Sequence, residues 1–396
     1  MDKIFFKNIG IKWNTPLEKI EADLYLKPED FIVEEIHHNS VCRVDTPKIK
    51  YERPKSQYVL ALLIKKNIST FDACRILAIK NSLDPKEISF CGLKDSFGIT
   101  AQLICIPNKV KLKQIKFKKF FITQFKPTNK KLSLRDHVGN HFIIRARNVR
   151  QDIKTCEKIL EKVKAKIKGG LPNFYGPQRF GVRQKNHLYG KLLIKKRYKE
   201  FIERVLIDTG KYEELKIKNI RKKIKENMHD LKKCYAILSR VPQLLHEKEI
   251  VEHLLKENFE QTIKKSEILR FYLHSFSSYL FNLALSSLIE KTKGDFSKLK
   301  NFQLQKIGYN SKIDKSTFNL YSKILKKENL TFNELRLAFK KFGIEGRPRN
   351  VLFYPQNFIY SMKNKDIFLS FDLGVGEYAT ILLDFIFNNR LKPKLE

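Results

Sequence analysis

The chain has 396 residues, enough for two domains or for one domain with a large insertion. Apolar residues reach 42% and aromatics 12%, which excludes a disordered chain even though 31% of residues are charged. Lysine and arginine number 79 against 42 for aspartate and glutamate, so a formal charge of +37 is spread along the length and points to a polyanion such as nucleic acid.

Solvated helix faces account for part of that lysine, but not for the imbalance of sign. A membrane surface fits less well: no apolar run nears a bilayer span and no signal-peptide core follows MDKIFFKN, so a soluble chain is expected. Cys42, Cys74, Cys91, Cys105, Cys156 and Cys234 show no CxxC spacing, and the histidines form no HxH set. Neither a disulfide framework nor a metal site is expected, and the cysteines read as free core residues in a reducing, cytoplasmic compartment.

From the start to about residue 190, short strand-like runs alternate with one or two helices, an α+β pattern. PEDFIVEEI, residues 28–36, reads as a strand with Phe31 and Val33 on one side and Ile32 and Glu34 on the other. STFDACRILAIKNSL predicts a helix capped by Ser69, with Asp72 three residues on and Ile76, Leu77 and Ile79 as its apolar run. Two strand candidates follow, ISFCGL and ITAQLICI, and the polar stretch KDSFG between them puts Asp95 in a loop.

Asp95 reads either as a turn residue bonding nearby backbone NH groups or as a working carboxylate. Lys94 beside it would lower its pKa and keep it ionised, and Gly92 and Gly98 would let a ligand backbone come close. A carboxylate so placed suits attack on, or deprotonation of, an electron-poor sugar.

HVGNHFIIRARNV predicts a strand with Phe142, Ile144 and Ala146 on one face and a basic face opposite. DIKTCEKILEKVKAKIKGG predicts a helix from the Asp152 cap to Gly169 and Gly170, with Ile153, Cys156, Leu160, Val163 and Ile167 as its stripe. LPNFYGPQRFGVR then breaks the pattern as an ordered loop. Asn173 has an amide able to read a base edge, Phe174, Tyr175 and Phe180 have faces for stacking, and Arg179 can bind a phosphate or pair with a carboxylate. The competing reading is a glycine-proline turn whose aromatics plug a core.

From about 190 to 350 the texture is lysine-rich and helical. Leu269, Leu273, Phe276, Leu280 and Leu283 recur at steps of four and three, an apolar stripe expected in a core. The last fifty residues return to short apolar runs, and in GVGEYATILLDFI a loop carrying Tyr378 leads into an apolar helix near Ala379. The simplest topology inserts the helical middle into the α+β domain.

Taken in order, these segments resemble the TruD family of tRNA pseudouridine synthases. Gly92, Leu93, Lys94 and Asp95, with Thr100 and Gln102, are similar to the family's GLKD and its downstream T and Q. Asn173, Gly176, Gln178, Arg179, Phe180 and Gly181 match NxxGxQRFG. Pro28, Glu29, Asp30, Phe31, Val33 and Glu35 match PEDFxVxE, here with a glutamate pair at Glu34 and Glu35, and Gly376 to Thr380 resembles GSYAT.

The resemblance implies an α+β pseudouridine synthase catalytic domain with a mixed sheet, interrupted by a helix-rich α/β TRUD insertion. The boundaries expected are 1–194 for the first catalytic part, 195–350 for the insertion and 351–396 for the closing part. It implies isomerisation of a tRNA uridine, typically position 13, without cofactor or metal, with tRNA as partner and with neither a membrane nor an obligate protein partner. The family's catalytic aspartate falls on Asp95, as nucleophile at C1′ or as base on a ribose proton. Substrate contacts fall on Phe31, Asn173, Tyr175 and Tyr378, with Lys94 and Arg179 as candidate partners for Asp95. Tyr175 and Tyr378 stand where some relatives have Phe, and Glu377 where relatives often have Ser. The rivals are a catalytically silent tRNA-binding protein of the same fold and a Mg²⁺-dependent nuclease, for which no acidic cluster appears near Asp95.

Overall fold

The structure, a computed structural model, describes residues 3–13, 18–38, 40–133, 136–211, 213–265 and 269–389. The chain folds as two compact units, Pro16–Gly170 with Tyr354–Glu396, and Met1–Thr15 with Leu171–Phe353.

The first unit is built on a nine-stranded mixed sheet. Its strands are β1 (Phe31–His37), β2 (Ser40–Val41), β3 (Tyr58–Lys66), β4 (Ser89–Phe90), β5 (Ile99–Pro107), β6 (Phe120–Thr128), β7 (Gly139–Ala146), β8 (Gln356–Lys363) and β9 (Asp366–Gly374). They lie in the order β8-β9-β7-β1-β5-β3-β6, with β2 paired to β1 and β4 to β5. The central pair β1/β5 is parallel, Ile32 opposite Ile99 and Val33 opposite Thr100, while β1/β7 and β3/β5 are antiparallel. The starts of β1 and β5 therefore lie side by side, and the loop before β5 carries Asp95.

Helix α1 (Thr70–Lys80) covers one face of this sheet. The Ser69 hydroxyl accepts the Asp72 N–H at 3.0 Å, satisfying an otherwise orphan donor of the first turn. Ala73, Cys74, Leu77 and Ala78 pack on Ala61 and Leu63 of β3 and on Ile104 and Ile106 of β5. Truncating a side chain such as Leu77 there costs about 2–5 kcal/mol. Ile79, which the sequence put in the apolar run, is exposed, because the buried stripe passes through Leu77 and Ala78.

Helix α2 (Ile153–Lys168) starts at the Asp152 cap, whose carboxylate accepts the Thr155 N–H at 2.9 Å, and it stops at Gly169 and the left-handed Gly170. Cys156, Leu160, Val163 and Ile167 are buried as the spacing predicts, whereas Ile153 in the first turn is exposed. The apolar helix Ala379–Ile386 packs against α2, and Phe387–Asn389 beyond it pairs with Ile20–Ala22.

In the second unit, α3 (Asn186–Ile194) packs closely on α4 (Leu269–Lys291). A Cβ at Gly190 would stand 2.3 Å from the Tyr272 carbonyl oxygen, so this contact depends on glycine. Leu269, Leu273, Phe276 and Leu280 are buried as expected, but Ser275, Ser277, Ser278 and Asn282 are buried too. Ser278 donates to the carbonyl of His274 one turn back, and Ser275 shares its proton between the carbonyls of Phe271 one turn back and of Arg179, which removes the cost of burying their hydroxyls.

The units divide the chain at Gly170 and Phe353, where the sequence texture changes at 194 and 350. Residues 171–194 go with the helices because Leu171–Pro172 pairs antiparallel with Leu352–Phe353 and α3 packs on α4. Among the described residues no helix is long and apolar enough to cross a membrane, and all six cysteines are free and buried.

Candidate active site and base-recognition loop

Residues 91–98 leave regular structure between β4 and β5, yet their backbone is held by side chains on every side. The Gln102 amide donates to the Gly92 carbonyl at 2.9 Å and accepts the Thr70 hydroxyl at 2.7 Å, while Thr70 Oγ1 accepts the Lys94 N–H at 3.0 Å. Gln102 is thus a brace between loop, strand and helix. Lys65 of β3 donates from Nζ to the Asp95 carbonyl at 2.6 Å and to the Ile68 carbonyl at 2.8 Å. At the far end, Gly98 and Asn67 exchange two hydrogen bonds, Gly98 N to Asn67 Oδ1 at 3.2 Å and Asn67 N to the Gly98 carbonyl at 3.1 Å.

Gly98 has φ +101°, and a Cβ there would stand 2.3 Å from the carbonyl oxygen of Phe31. The space expected for a ligand backbone is filled by Phe31 itself, so Gly98 allows close packing of the loop on β1. At Gly92 the nearest atoms to an added Cβ are on His137 at 3.7 Å, an ordinary contact. Phe31 is buried, its ring 5.2 Å from Tyr25 and 6.2 Å from Phe142. Tyr25 also meets Phe97 of the loop at 6.2 Å, and it adopts φ +62°, a costly backbone for a tyrosine.

Two lysines meet this loop with different charges to balance. Lys94 places Nζ 2.6 Å from Glu35 Oε2, and both groups are buried. Its ammonium therefore lies on Glu35 rather than on the neighbouring carboxylate. Glu35 Oε1 meets His37 Nε2 at 2.9 Å, while His37 Nδ1 faces the Asp136 carbonyl at 2.7 Å. Both oxygens accept, so imidazolium satisfies both contacts. Burial lowers the His37 pKa, but Glu35 outweighs it and the net direction is up. Burial likewise raises Glu35, and His37 and Lys94 bring it below the usual range.

Asp95 is exposed to solvent, although protein packs around the loop that carries it. That crowding raises its carboxyl pKa, and Lys65 and Lys94 only partly oppose the rise. The direction is opposite to the lowered pKa expected from the sequence, because desolvation by the protein packed around this exposed loop outweighs the neighbouring cations. Burial also brings the Lys65 amine down to about 8, against the pull of Asp95. Lys65 was missed in the sequence, although it shares the strand parity of Ala61 and Leu63, where a lysine is out of place.

Glu35, His37 and Cys91 offer ligand atoms within 4.8 Å of one another. Lys94 and His37 already neutralise Glu35, and burial pushes the Cys91 thiol up to about 12, so the trio suits an ion-pair network better than a cation.

Tyr378 is the N-cap residue of the helix Ala379–Ile386 and follows β9, whose last residue Gly374 stands opposite Gly139, itself opposite Ile36. Glu377 folds back, its Oε2 accepting the Gly374 N–H at 2.8 Å, so this carboxylate stabilises the turn that presents Tyr378.

Asn173, Tyr175 and Arg179 belong to the second unit. Asn173 Oδ1 accepts from the Arg349 guanidinium, whose Nε also donates to the Asn173 carbonyl at 3.1 Å, and Asn173 Nδ2 donates to the Asn350 carbonyl at 3.0 Å. The amide's orientation is therefore fixed in advance. Arg349 also lies over the Tyr175 ring, 4.2 Å from its centroid, with the edge of Phe281 at 5.4 Å. Arg349 is a further residue missed by the motif reading, since it lies 176 positions from Asn173. Arg179 donates to Ser278 Oγ at 3.3 Å, within its own unit. Phe174 and Phe180 are wholly buried, so for these two the plug reading is the right one.

A family model described as tRNA pseudouridine synthase D (TruD) matches residues 9–301 and 297–385. The chain is 29% identical to a protein of Pyrococcus furiosus named Probable tRNA pseudouridine synthase D, over 96% of this chain and 98% of that one. It is 27% identical to Probable tRNA pseudouridine synthase D 2 of Methanocaldococcus jannaschii, over 91% and 90%. Among solved structures, a TruD crystal structure from Methanosarcina mazei superposes with a TM-score of 0.69 at 24% identity, over 98% of each chain.

Proposed function

The chain belongs to the tRNA pseudouridine synthase D (TruD) family, and from that premise we propose that it converts a uridine of tRNA, at position 13, to pseudouridine through Asp95 and without a cofactor. The observation that carries this reading is the Asp95 loop, braced by Lys65, Thr70 and Gln102 at the paired starts of β1 and β5. Such bracing fixes a carboxylate at a reacting carbon in advance, and so removes much of the entropy cost of alignment.

Asp95 either attacks C1′ or takes a ribose proton to give a glycal; in both cases the C1′–N1 bond breaks and uracil leaves with the electron pair. The detached base turns and C5 bonds to C1′, displacing Asp95 from the sugar on the first route, while on the second Asp95 returns the ribose proton; C5 then loses its proton and N1 gains one, so the product is an isomer. Lys65 and Lys94 keep positive charge beside the carboxylate throughout. Phe31, Asn173, Tyr175 and Tyr378 are the substrate contacts in this reading. Flipping the uridine out of its stack costs a few kcal/mol, and stacking on an aromatic face returns about 1–3 kcal/mol per base. Tyr175, already set by Arg349, is the residue best prepared to supply it.

The test is release of tritium from tRNA transcript labelled at C5 of uridine, with EDTA present. Release by the wild type that disappears in Asp95→Asn supports the proposal. Tight tRNA binding without release would leave a silent binding protein of the same fold, and strand cleavage that stops in EDTA would leave a metal-dependent nuclease.

A further inference from the structure

The second unit gathers four cations, buried Lys306, half-buried Arg179 and Arg349 and exposed Arg347, with little negative charge beside them. Lys306 ends the strand Gln303–Lys306 and is only 8% exposed, yet among the described residues no carboxylate pairs with it. Its strand partner directly opposite is Arg347, a like charge, an arrangement that destabilises a sheet. Arg349 follows two residues on, and Arg179 approaches from the turn Pro177–Phe180, whose carbonyl accepts the Ser275 hydroxyl at 2.6 Å. The nearest acid on this strand pair is Glu345, 3.7 Å from Arg347 and well exposed, where an ion pair contributes little.

The groups in contact with the Lys306 amine are His274 Nδ1 at 3.2 Å and the Tyr175 ring at 5.9 Å, and the positive charges of Arg179, Arg349 and Arg347 act on it from around that contact. Burial first, and then those three arginines, lower the Lys306 pKa to about 7. Burial and the same positive field bring His274 down to about 3, so it accepts rather than donates. A fold that only needed a stable core would place an acid or an apolar side chain here. Like charges gathered around a buried amine are tolerable when an anion is to be received.

We infer that Lys306, with Arg179 and Arg347, forms a phosphate-binding site that takes a backbone phosphodiester of the RNA next to the nucleotide held by Asn173 and Tyr175. The inference rests on the proposed function for its ligand, since it names the part of the tRNA that this surface grips. Arg349 links the two: it fixes Asn173 and Tyr175 for the base while adding its charge to the phosphate site. Receiving the anion returns Lys306 to its charged form, so binding takes up a proton and weakens as the pH rises above about 7.

The test uses the full chain and an RNA stem-loop in which the phosphates around the reacting uridine are replaced one at a time by uncharged methylphosphonates. In the wild type one replacement should weaken binding about ten- to hundredfold. Lys306→Met should weaken the unmodified RNA by a similar factor and become indifferent to that same replacement, while Lys306→Arg restores the sensitivity. Thermal melting of each variant checks folding; removing a buried like charge should leave the melting temperature unchanged or higher. Additive losses, or a Lys306→Met variant that binds RNA as the wild type does, would overturn the site. Inorganic phosphate that protects the wild type but not Lys306→Met from melting, without any coupling to the methylphosphonates, would overturn the RNA assignment in favour of a free-phosphate site. The outcome is separate from that of tritium release: the isomerase reading can fail with the coupling intact, and the coupling can fail in an active isomerase.

Discussion

Lys94 turns its ammonium onto Glu35, at 2.6 Å, and not onto Asp95 beside it in the chain. The two cations nearest the carboxylate thus do different work. Lys94 anchors the loop to β1 through a buried ion pair, and Lys65 anchors it to β3 through the Asp95 carbonyl. Neither of these two contacts engages the Asp95 carboxylate, which the proposed reaction requires.

Breaking that pair strands a buried charge. Lys94→Met or Glu35→Gln should each lower stability by about 3–5 kcal/mol, and the double variant by less than the sum. Urea unfolding of the four proteins measures the coupling; additive losses would show that the ion pair does not hold the loop.

His37 gives the same network a pH dependence. Its folded pKa is raised, so its contribution is fully present below the unfolded value of about 6.5 and is lost as pH rises through the folded value. The difference in melting temperature between wild type and His37→Gln should therefore shrink with rising pH. A difference that grows would reverse the assignment.

Asp95 changes stability in the same direction with pH, but as a cost that appears on ionisation. Its folded pKa is raised, so the ionised carboxylate costs stability at neutral pH, a cost that vanishes below the unfolded pKa. Asp95→Asn should abolish tritium release and melt higher than the wild type at pH 7, with the gap closing toward pH 3. An inactive variant that melts lower would mean that the carboxylate is structural.

Lys65 shapes the rate profile. Replacing it by Met removes a cation that favours ionised Asp95, so the acid limb of the pH–rate curve should move to higher pH and kcat should fall. The amine titrates at about 8, and any alkaline limb near that pH should vanish in the same variant.

Gly98 and Gly92 separate packing from turn chemistry. Gly98→Ala meets the Phe31 carbonyl and a left-handed backbone costing about 1–2 kcal/mol by itself, so both stability and turnover should suffer. Gly92→Ala meets only ordinary contacts and should melt within about 1 kcal/mol of the wild type. Equal losses at both positions would show that loop flexibility, and not the Phe31 contact, is what glycine supplies.

Local signals made much of this legible. The Ser69 and Asp152 caps, the strands on either side of KDSFG and the helix after Tyr378 were all visible in spacing and capping chemistry, which act within a few residues. The order of motifs likewise pointed to the family and the mixed sheet. What stayed hidden depends on pairing across the chain. Lys65 lies thirty residues before Asp95, and only strand register tells which carbonyl it reaches. The direction of the Asp95 pKa depends on how densely the fold surrounds it, and the conformation of Asn173 on an arginine near residue 350.

The pairing of Leu171–Pro172 with Leu352–Phe353 also sets a timetable for the emerging chain. The braces described for the Asp95 loop come from residues 35–102, so they can close while the rest is still being synthesised. Asn173 must wait for Arg349 and Asn350. Chains fold domain by domain as they leave the ribosome, and long-range pairings come late. The nascent protein can therefore close the Asp95 loop before the Asn173 loop, and a chain halted in the helical middle would carry the first without the second.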